Sequence, residues 1–582
     1  MTRVAVLGGG VGGLSAAHEL AERGFDVEVH EARDVFGGKA RSIDVPGEDV
    51  RGENVPDGDA VYPGEHGFRF FPGFYQHVTE TMKRIPFDDN PNGVYDNLVQ
   101  TSEILKSMED RPSIRSSDGT PTSVEGLRKR LRDAFWRGLV PDHEHNFFVD
   151  RVLTLMTSCD ERWRNEYENI SWWDFVEAER MSEDYKRFLA RGPTKLLVAM
   201  RPEESSTRTI GRIAIQTTMD VLDPRRDPVS ILDGPTSDRW IEPWVDHLES
   251  VGADLHTGSR VTSLGFDGER VTGATVERSD GKREVEADHY VLATPLEVAR
   301  ELITDEMVKG LTEAYDGEVA PSLSGLERIK TDWMNGVQFY LKEDTQMAEG
   351  HVVCFDSPWA LTAVSQRQFW RSDWNRYGSI GGVVSVCVSD WDTEGLVHGK
   401  PAKDCSPEEI KEEVWTQLKR HVNSRSEDGE PETVLEDDNL VGWYLDPAIE
   451  HSEDGVVNHE PLFINTVGSL EHRPDAATRI ENLTLAADYV RTNSDLATME
   501  GANEAARRAT NAIIERSGSN APECGVYEFE EPAFLEPAKA YDRLRYRLGL
   551  PHVGVHTKRF FRLIDKGYKA LPGTEAPATG EG

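Results

Sequence analysis

Two glycine clusters with an acid between them are the features of this sequence that point most directly to chemistry. Gly8, Gly10 and Gly13 stand in the run Gly8-Gly9-Gly10-Val11-Gly12-Gly13 with the spacing G-x-G-x-x-G. The first glycine permits a tight turn, the second lets backbone approach a pyrophosphate, and the third lets a helix pack closely on a strand. Glu31 follows about 20 residues on, where a carboxylate can accept the hydroxyls of an adenosine ribose and an arginine would instead suit a 2′-phosphate. Gly37 and Gly38, with Lys39 and Arg41 after them, make a second glycine pair with a basic flank. Further along, His66 and Arg69 lie inside the segment EHGFRFFPGFY (residues 65–75), where five aromatic rings surround a few polar groups. An apolar wall with few polar groups is the usual character of a ligand site, so His66 and Arg69 are the candidate catalytic residues. The sequence shows no Ser/His/Asp set, no paired-carboxylate site and no metal-ligand cluster to compete with this reading.

The elements that must position these residues can be read from pattern. Thr2–Leu7 is a short buried strand without polar alternation, residues 14–20 are helical, and Asp26–His30 is a second strand. A helix beginning at the glycines turns its free N–H groups and the positive end of its dipole toward phosphate. Residues 85–226 read as mainly helical, with Ser171 and Asp174 as a capping pair. The α/β pattern returns at 229–302, with a helix over 238–251, a hairpin turning at Asp267-Gly268 and a strand from His289 to Ala293. Asn335–Leu341 and Gly381–Val388 are expected strands. Ser406, Pro407 and Glu409 open a helix to about His421, and residues 424–438 read as an acidic exposed loop.

The run E-A-R-x-x-x-G-G-K-x-R-S, from Glu31 and Ala32 through Gly37, Gly38, Lys39 and Arg41, resembles the FAD fold of the amine oxidase and carotenoid desaturase superfamily. The block 229–302, from L-D-G-x-x-x-x-R to A-D-x-x-V-x-A-T-P, is similar to the plant and cyanobacterial phytoene and ζ-carotene desaturases. So is the carboxy-terminal stretch ending at Asp488, with Met499-Glu500-Gly501-Ala502 after it. The resemblance implies an α/β fold: a glutathione-reductase-type Rossmann FAD-binding domain with an inserted mixed α+β substrate domain. It implies the FAD-binding domain at 1–84, 229–305 and 455–516, the substrate domain at 85–228 and 306–454, and an extension at 517–582. Ala32, Lys39 and Arg41 are then expected along the cofactor, Val261 at the adenine through its backbone, and Ala293 beside the cofactor. Asp488 is expected at its ribityl or pyrophosphate part, and Met499 and Glu500 at the flavin edge. Ala487 departs from the family's usual glycine. The implied activity is hydride removal from a hydrophobic, isoprenoid or carotenoid-type small molecule, with the flavin reoxidised by oxygen or a quinone. A hydroxysqualene dehydroxylase-like enzyme, a flavin amine oxidase and a non-catalytic prenyl-binding GDP-dissociation-inhibitor-like protein are the alternatives. Amine oxidases place a lysine on a substrate-domain strand, and residues 333–338 contain none, Lys330 lying just before them.

The balance of 65 basic and 104 acidic residues, a formal charge of −39 over 582 residues, disfavours nucleic acid as a partner. Five scattered cysteines without a C-x-x-C predict a reducing cytoplasm and no metal site. His143-Glu144-His145 reads as part of a charged surface loop. No apolar run reaches the length needed to span a bilayer. Residues 539–571 carry nine Lys or Arg against two acids, interleaved with Leu, Phe and Tyr. They are expected either to make peripheral membrane contact or to pack on the acidic body. The last residues, from Pro572, read as a disordered tail.

Overall fold

The computed structural model describes residues 1–52, 55, 60–109, 111–117, 139–222, 229–309, 323–371, 374–378, 380–423, 433–453 and 455–554. Its organising unit is a five-stranded sheet made from distant parts of the chain. The sheet contains β1 (Arg3–Leu7), which leads into α1 (Val11–Glu22), and β2 (Asp26–His30). It is completed by β3 (Asp254–His256), β4 (His289–Leu292) and β5 (Leu483–Leu485). The order is β5-β4-β1-β2-β3 and every pairing is parallel, with Val6 opposite both Val29 and Val291. A parallel sheet must be covered on both faces, which is why β1 reads as uninterrupted apolar residues. Val4, Ala5, Val6 and Leu7 are all at 0% exposure. Three helices matter to the site: α2 (His77–Met82), α3 (Leu296–Leu302) and α4 (Met499–Ser517). The expected helix start at Met499 is the observed one, with the Thr498 side chain accepting the Gly501 N–H at 3.1 Å.

A seven-stranded sheet forms the second layer system, in the order 440–445, 335–341, 382–388, 361–365, 350–354, 103–107, 114–117. The expected strand Asn335–Leu341 is found with those bounds, and the capped helix is Pro407–Val422 with both halves of its capping box made. Residues 85–226 need a correction. The helices Asp142–Met156 and Thr207–Leu222 are there, but Leu98–Gln100, Glu103–Ser107 and Ile114–Ser117 are strands. Glu103–Ser107 pairs in parallel with Gly350–Cys354, a partner far away in sequence, so no local pattern announces it. A second correction concerns His143, Glu144 and His145, which lie in the first turn of the helix at 142–156 and not in a loop. Glu144 is buried there and accepts the Ser182 N–H at 2.8 Å. Of the expected acidic loop 424–438, residues 424–432 lie outside the described residues, as does the expected tail.

The carboxy-terminal helix α5 (Glu536–Arg547) is fixed to the body by a buried ion pair, Arg162 Nη2 to Asp542 Oδ1 at 2.9 Å. Three of its four basic residues face the chain's own acids: Lys539 meets Glu531, and Arg543 and Arg547 meet Glu161, while Arg545 donates to the Pro551 oxygen. Its apolar residues point outward. Tyr541, Leu544 and Leu548 are exposed, and Leu550 and Val553 continue the patch beyond the helix.

Candidate functional site

Of the glycines at the mouth of β1, all but Gly10 are held so closely that side chains could not replace them without movement. A Cβ on Gly13 would lie 1.8 Å from the Gly8 carbonyl oxygen, and one on Gly8, at φ +116°, would lie 2.6 Å from the Ala293 oxygen. Gly12 is equally constrained, its Cβ position falling 1.9 Å from the Ala486 oxygen. Ala486, the residue before Ala487, therefore comes hard against α1 even without the family's glycine. Gly10 caps α1 with no side-chain hydrogen bond, and no acid stands in the first turn. The N–H groups of that turn and the positive end of the helix are thus available to an anion. Gly37 donates to the Gly9 oxygen at 2.8 Å and holds φ +105°, which brings the second glycine pair onto the first.

Glu31 is buried at the end of β2, where Oε2 accepts the Gly9 N–H at 2.8 Å and Oε1 accepts the Arg33 N–H at 2.9 Å. An ionised carboxylate has about four acceptor positions, so two remain for ribose hydroxyls. Val261 lies in the edge strand Arg260–Phe266, two residues after Ser259, whose N–H donates to the Glu31 oxygen at 2.7 Å. Ala293 sits directly behind Gly8, while Ala32 is exposed beyond Glu31. Lys39 donates to the Pro461 oxygen and lies in the field of two acids, Asp488 and Glu297 on α3. Burial raises both carboxyls above their ordinary range, and Lys39 opposes this in each. Glu297 Oε2 and Thr294 Oγ1 are buried without partners in the protein. Free glycine N–H groups, a cation between two acids and orphaned polar atoms beside them fit the pyrophosphate and polyol of a dinucleotide.

Met499 opens α4, half-buried against the core of the parallel sheet. Glu500 is at 1% exposure and turns away to cap α2, accepting the N–H groups of Gln76, His77 and Val78, each at 2.9 Å. Its carboxylate is thus committed to protein, which leaves the backbone of the α4 amino end as its contribution to a flavin edge. Arg41 donates to the Gly38 oxygen at 2.6 Å and to Glu460 at 3.1 Å. Burial is the largest influence on that guanidinium and brings it down to about 10.

The aromatic segment is pressed between these parts and the seven-stranded sheet. A Cβ on Gly336 would lie 2.9 Å from the Glu65 and His66 oxygens, so the strand 335–341 runs directly against that backbone. Arg69 is half-buried and donates to the Gly67 and Lys39 oxygens, bracing the aromatic segment against the second glycine pair. His66 is 8% exposed, and its Nδ1 stands 2.5 Å from Asp446 Oδ2 and 3.3 Å from Glu460 Oε2. Burial is the largest influence on the imidazole and lowers its pKa, with Asp446 pulling the other way. Burial pushes Asp446 upward, but His66, the Ala448 N–H and the Asn335 amide outweigh it and hold the carboxyl low. Together these favour a neutral imidazole beside a carboxylate, with the proton on Nδ1 and a lone pair on Nε2. Asp446 and Glu460 escape a reading of the sequence, because each stands in an irregular stretch without a motif and reaches His66 only through the fold.

Of two open cavities, of about 220 and 210 Å³, the second lies against the aromatic segment. Phe71, Tyr75, Tyr95 and Lys83 help to line the second, and the first includes Lys330, which is exposed and paired with Glu204 at 2.7 Å. Among the described residues, His18, Glu22 and His247 bring ligand-type atoms within 4.8 Å of one another. However, Trp244 Nε1–H donates to His18 Nδ1 at 3.0 Å. Indole is only a donor, so the His18 proton must sit on Nε2, where it points at Glu22 and offers no lone pair to a metal. No described helix is long and apolar enough to cross a membrane.

Comparison with known proteins agrees with this geometry. The 15-cis-phytoene desaturase of Synechococcus elongatus is 24% identical over 523 residues, covering 88% of this chain and 96% of that one. The probable zeta-carotene desaturase of the same organism is 22% identical, covering 88% and 98%. Putrescine oxidase bound to putrescine shares the fold with a TM-score of 0.55 at 16% identity, covering 88% of this chain and 99% of that one. An oxidoreductase from Methanosarcina mazei shares it at 0.54 and 13%, covering 88% and 100%. The family described as flavin containing amine oxidoreductase matches residues 11–514, nearly the whole of the region that builds the cradle and the aromatic wall, and this chain belongs to it as an FAD-dependent oxidoreductase.

Proposed function

We propose that this enzyme removes hydride from a hydrophobic isoprenoid or carotenoid-type substrate, forming a carbon–carbon double bond. The observation that carries the reading is the aromatic segment 67–75, set between the second glycine pair and the amino end of α4. An apolar wall at that place suits a hydrocarbon better than an amine. The two Synechococcus relatives, both named as desaturases, match nearly end to end and support it. FAD supplies the hydride acceptor, and oxygen or a quinone would reoxidise it. The chain's residues do the rest. Gly8, Gly10, Gly13 and Glu31 hold the dinucleotide, Lys39 and Asp488 the middle of the cofactor, and Met499 marks the end of the helix that faces the ring. His66 and Arg69 border the reacting region. The cofactor-holding part is assigned to 1–84, 229–305 and 455–516, and the substrate part to 85–228 and 306–454.

Docking on a membrane belongs to the same reading, because such substrates dissolve in bilayers. What supports it is the exposed apolar row Tyr541, Leu544, Leu548, Leu550 and Val553, since apolar side chains drive interfacial binding. Lys539, Arg543 and Arg547 are occupied by Glu531 and Glu161, so charge contributes less. The activity is tested by anaerobic flavin bleaching with 15-cis-phytoene, squalene derivatives and putrescine. Bleaching by phytoene is the expected result. Bleaching by amine alone would replace this reading with amine oxidation.

A further inference from the structure

We propose that Asp446 is the positioning residue for His66, that His66 takes up the proton released when the substrate's double bond forms, and that Glu460 leads this proton toward solvent. The assignment rests on the desaturation reading. Three observations meet at one place. Asp446 is 1% exposed and fixed on three sides: Oδ2 accepts the Asn335 amide at 2.7 Å, Oδ1 accepts the Ala448 N–H at 3.0 Å, and His66 Nδ1 stands 2.5 Å away. The support is itself supported, since Asn458 donates to Asn335 Oδ1 at 2.8 Å and its own Oδ1 accepts the Glu460 N–H at 2.9 Å. Glu460 then joins Arg41 and Arg33, and the Arg33 side chain is 42% exposed. A line of polar groups therefore runs from a buried imidazole to the surface, beside an apolar wall that needs none of it.

The chemistry requires such a base. When a CH–CH unit becomes C=C, one carbon gives up hydrogen with both bonding electrons, a hydride that the flavin accepts. The neighbouring C–H bond breaks the other way, its electron pair entering the new π bond and its proton going to His66 Nε2. The substrate is oxidised by two electrons and the flavin reduced by two. The imidazolium so formed carries its Nδ1–H between two carboxylates. Loss of that proton to Glu460 leaves a neutral ring protonated on Nε2, and a half-turn of the ring brings a proton back toward Asp446 and a lone pair back toward the substrate. The ring nitrogen approaches Asp446 without an aligned hydrogen bond, so a small swing of the imidazole is enough to exchange one carboxylate for the other.

Asp446→Asn is the variant to compare: its amide keeps an oxygen for the Ala448 N–H but gives up the acceptor that faces Asn335 and His66, so its rate is read beside FAD content, melting temperature and the His66 tautomer. In the FAD-loaded protein, anaerobic flavin reduction by 15-cis-phytoene in detergent micelles is followed across the range in which histidine titrates. Asp446→Asn should slow it about a hundredfold, the scale of lost general-base catalysis. Its ascending limb should move to lower pH, because loss of the anion lowers the imidazole pKa further. His66→Gln should be as slow, and the double variant no slower, as for residues that act as a unit. FAD content and melting temperature should stay near those of the parent. NMR of isotope-labelled histidine provides a substrate-free readout: the His66 proton should sit on Nδ1 in the parent and distribute over both nitrogens in Asp446→Asn. An unchanged tautomer and an unchanged pH profile overturn the proposal, as does a rate loss that merely follows lost FAD. If the parent flavin is not bleached by phytoene at all, the desaturation reading fails, and the NMR readout still decides whether Asp446 sets the His66 proton.

Discussion

Glu500 Oε1 accepts the His77 backbone N–H at 2.9 Å and meets the ring Nδ1 of the same histidine at 2.7 Å. One carboxylate thereby ties the start of α4 to the start of α2, across nearly the whole length of the chain. Glu500→Ala would leave three helix N–H groups unsatisfied in a buried place. The expected cost is about 3 kcal/mol, from a buried-donor penalty of about 1–3 kcal/mol per group with partial relaxation. Urea denaturation of the FAD-loaded protein measures it. Glu500→Gln, which keeps one acceptor oxygen, should recover part of the loss. A loss of flavin with full stability would instead give Glu500 a direct role at the cofactor.

Gly12→Ala places a methyl group where only 1.9 Å separates it from the Ala486 oxygen. Backbone must move on one side or the other, so both stability and FAD retention should fall. Overpacking of this kind costs about 1–3 kcal/mol. Gly24→Ala is a useful contrast, because nothing lies within 4 Å of its Cβ position and only its φ of +80° is strained. That variant should keep its FAD. Equal flavin loss in the two would show that the close approach is not what matters.

Glu31→Arg exchanges an acceptor of ribose hydroxyls for a donor and also abandons the Gly9 N–H. The purified variant should be colourless, with a far-ultraviolet spectrum like that of the parent. In the parent, acid precipitation should release all the yellow colour, since the stretch from Asp488 to Met499 holds no Cys or His that could tether the ring. Flavin retained in the pellet would rule out non-covalent binding.

Glu22 contributes to stability in a defined pH window. Burial works against its charge, but the His18 Nε2–H hydrogen bond and the Arg84 guanidinium bring its pKa from the ordinary 4.5 down to about 2. The folded value is depressed, so the contribution is complete above the unfolded value and is lost as pH falls toward about 2. Glu22→Gln should therefore be less stable than the parent at neutral pH, and the difference should shrink through that window. A gap that persists below it would assign the effect to packing.

Leu544→Ser with Leu548→Ser tests the outward row on α5 while leaving Asp542 and its ion pair to Arg162 in place. On anionic vesicles the parent should float and the double variant should remain with the soluble fraction. Because Arg543 and Arg547 are engaged with Glu161, added salt should weaken flotation only modestly. Flotation abolished by salt and untouched by the serines would move the contact to the basic residues.

The glycine turn after β1 and the acid after β2 are legible in the amino-acid order because they are local. A glycine has to stand where a Cβ would strike the Gly8 or Ala486 oxygen, and Glu31 has to end the next strand, so pattern and spacing carry the information. The same holds for Asn335–Leu341 and for the capping box at Ser406 and Glu409, where neighbouring residues set the element. Other features exist only once the chain has folded. Glu103–Ser107 is a strand because Gly350–Cys354 supplies its hydrogen bonds, not because of its own composition. Glu500 faces α2 and not the cofactor cleft, since the unpaired N–H groups of Gln76, His77 and Val78 lie where the fold brings them. Asp446 and Glu460 reach His66 from the far part of the chain, and a single carboxylate in an irregular stretch has no period or spacing by which to be recognised. Backbone turns and strand ends are written in neighbouring residues, whereas the pairing of buried charges is set only when distant segments close on one another and exclude water.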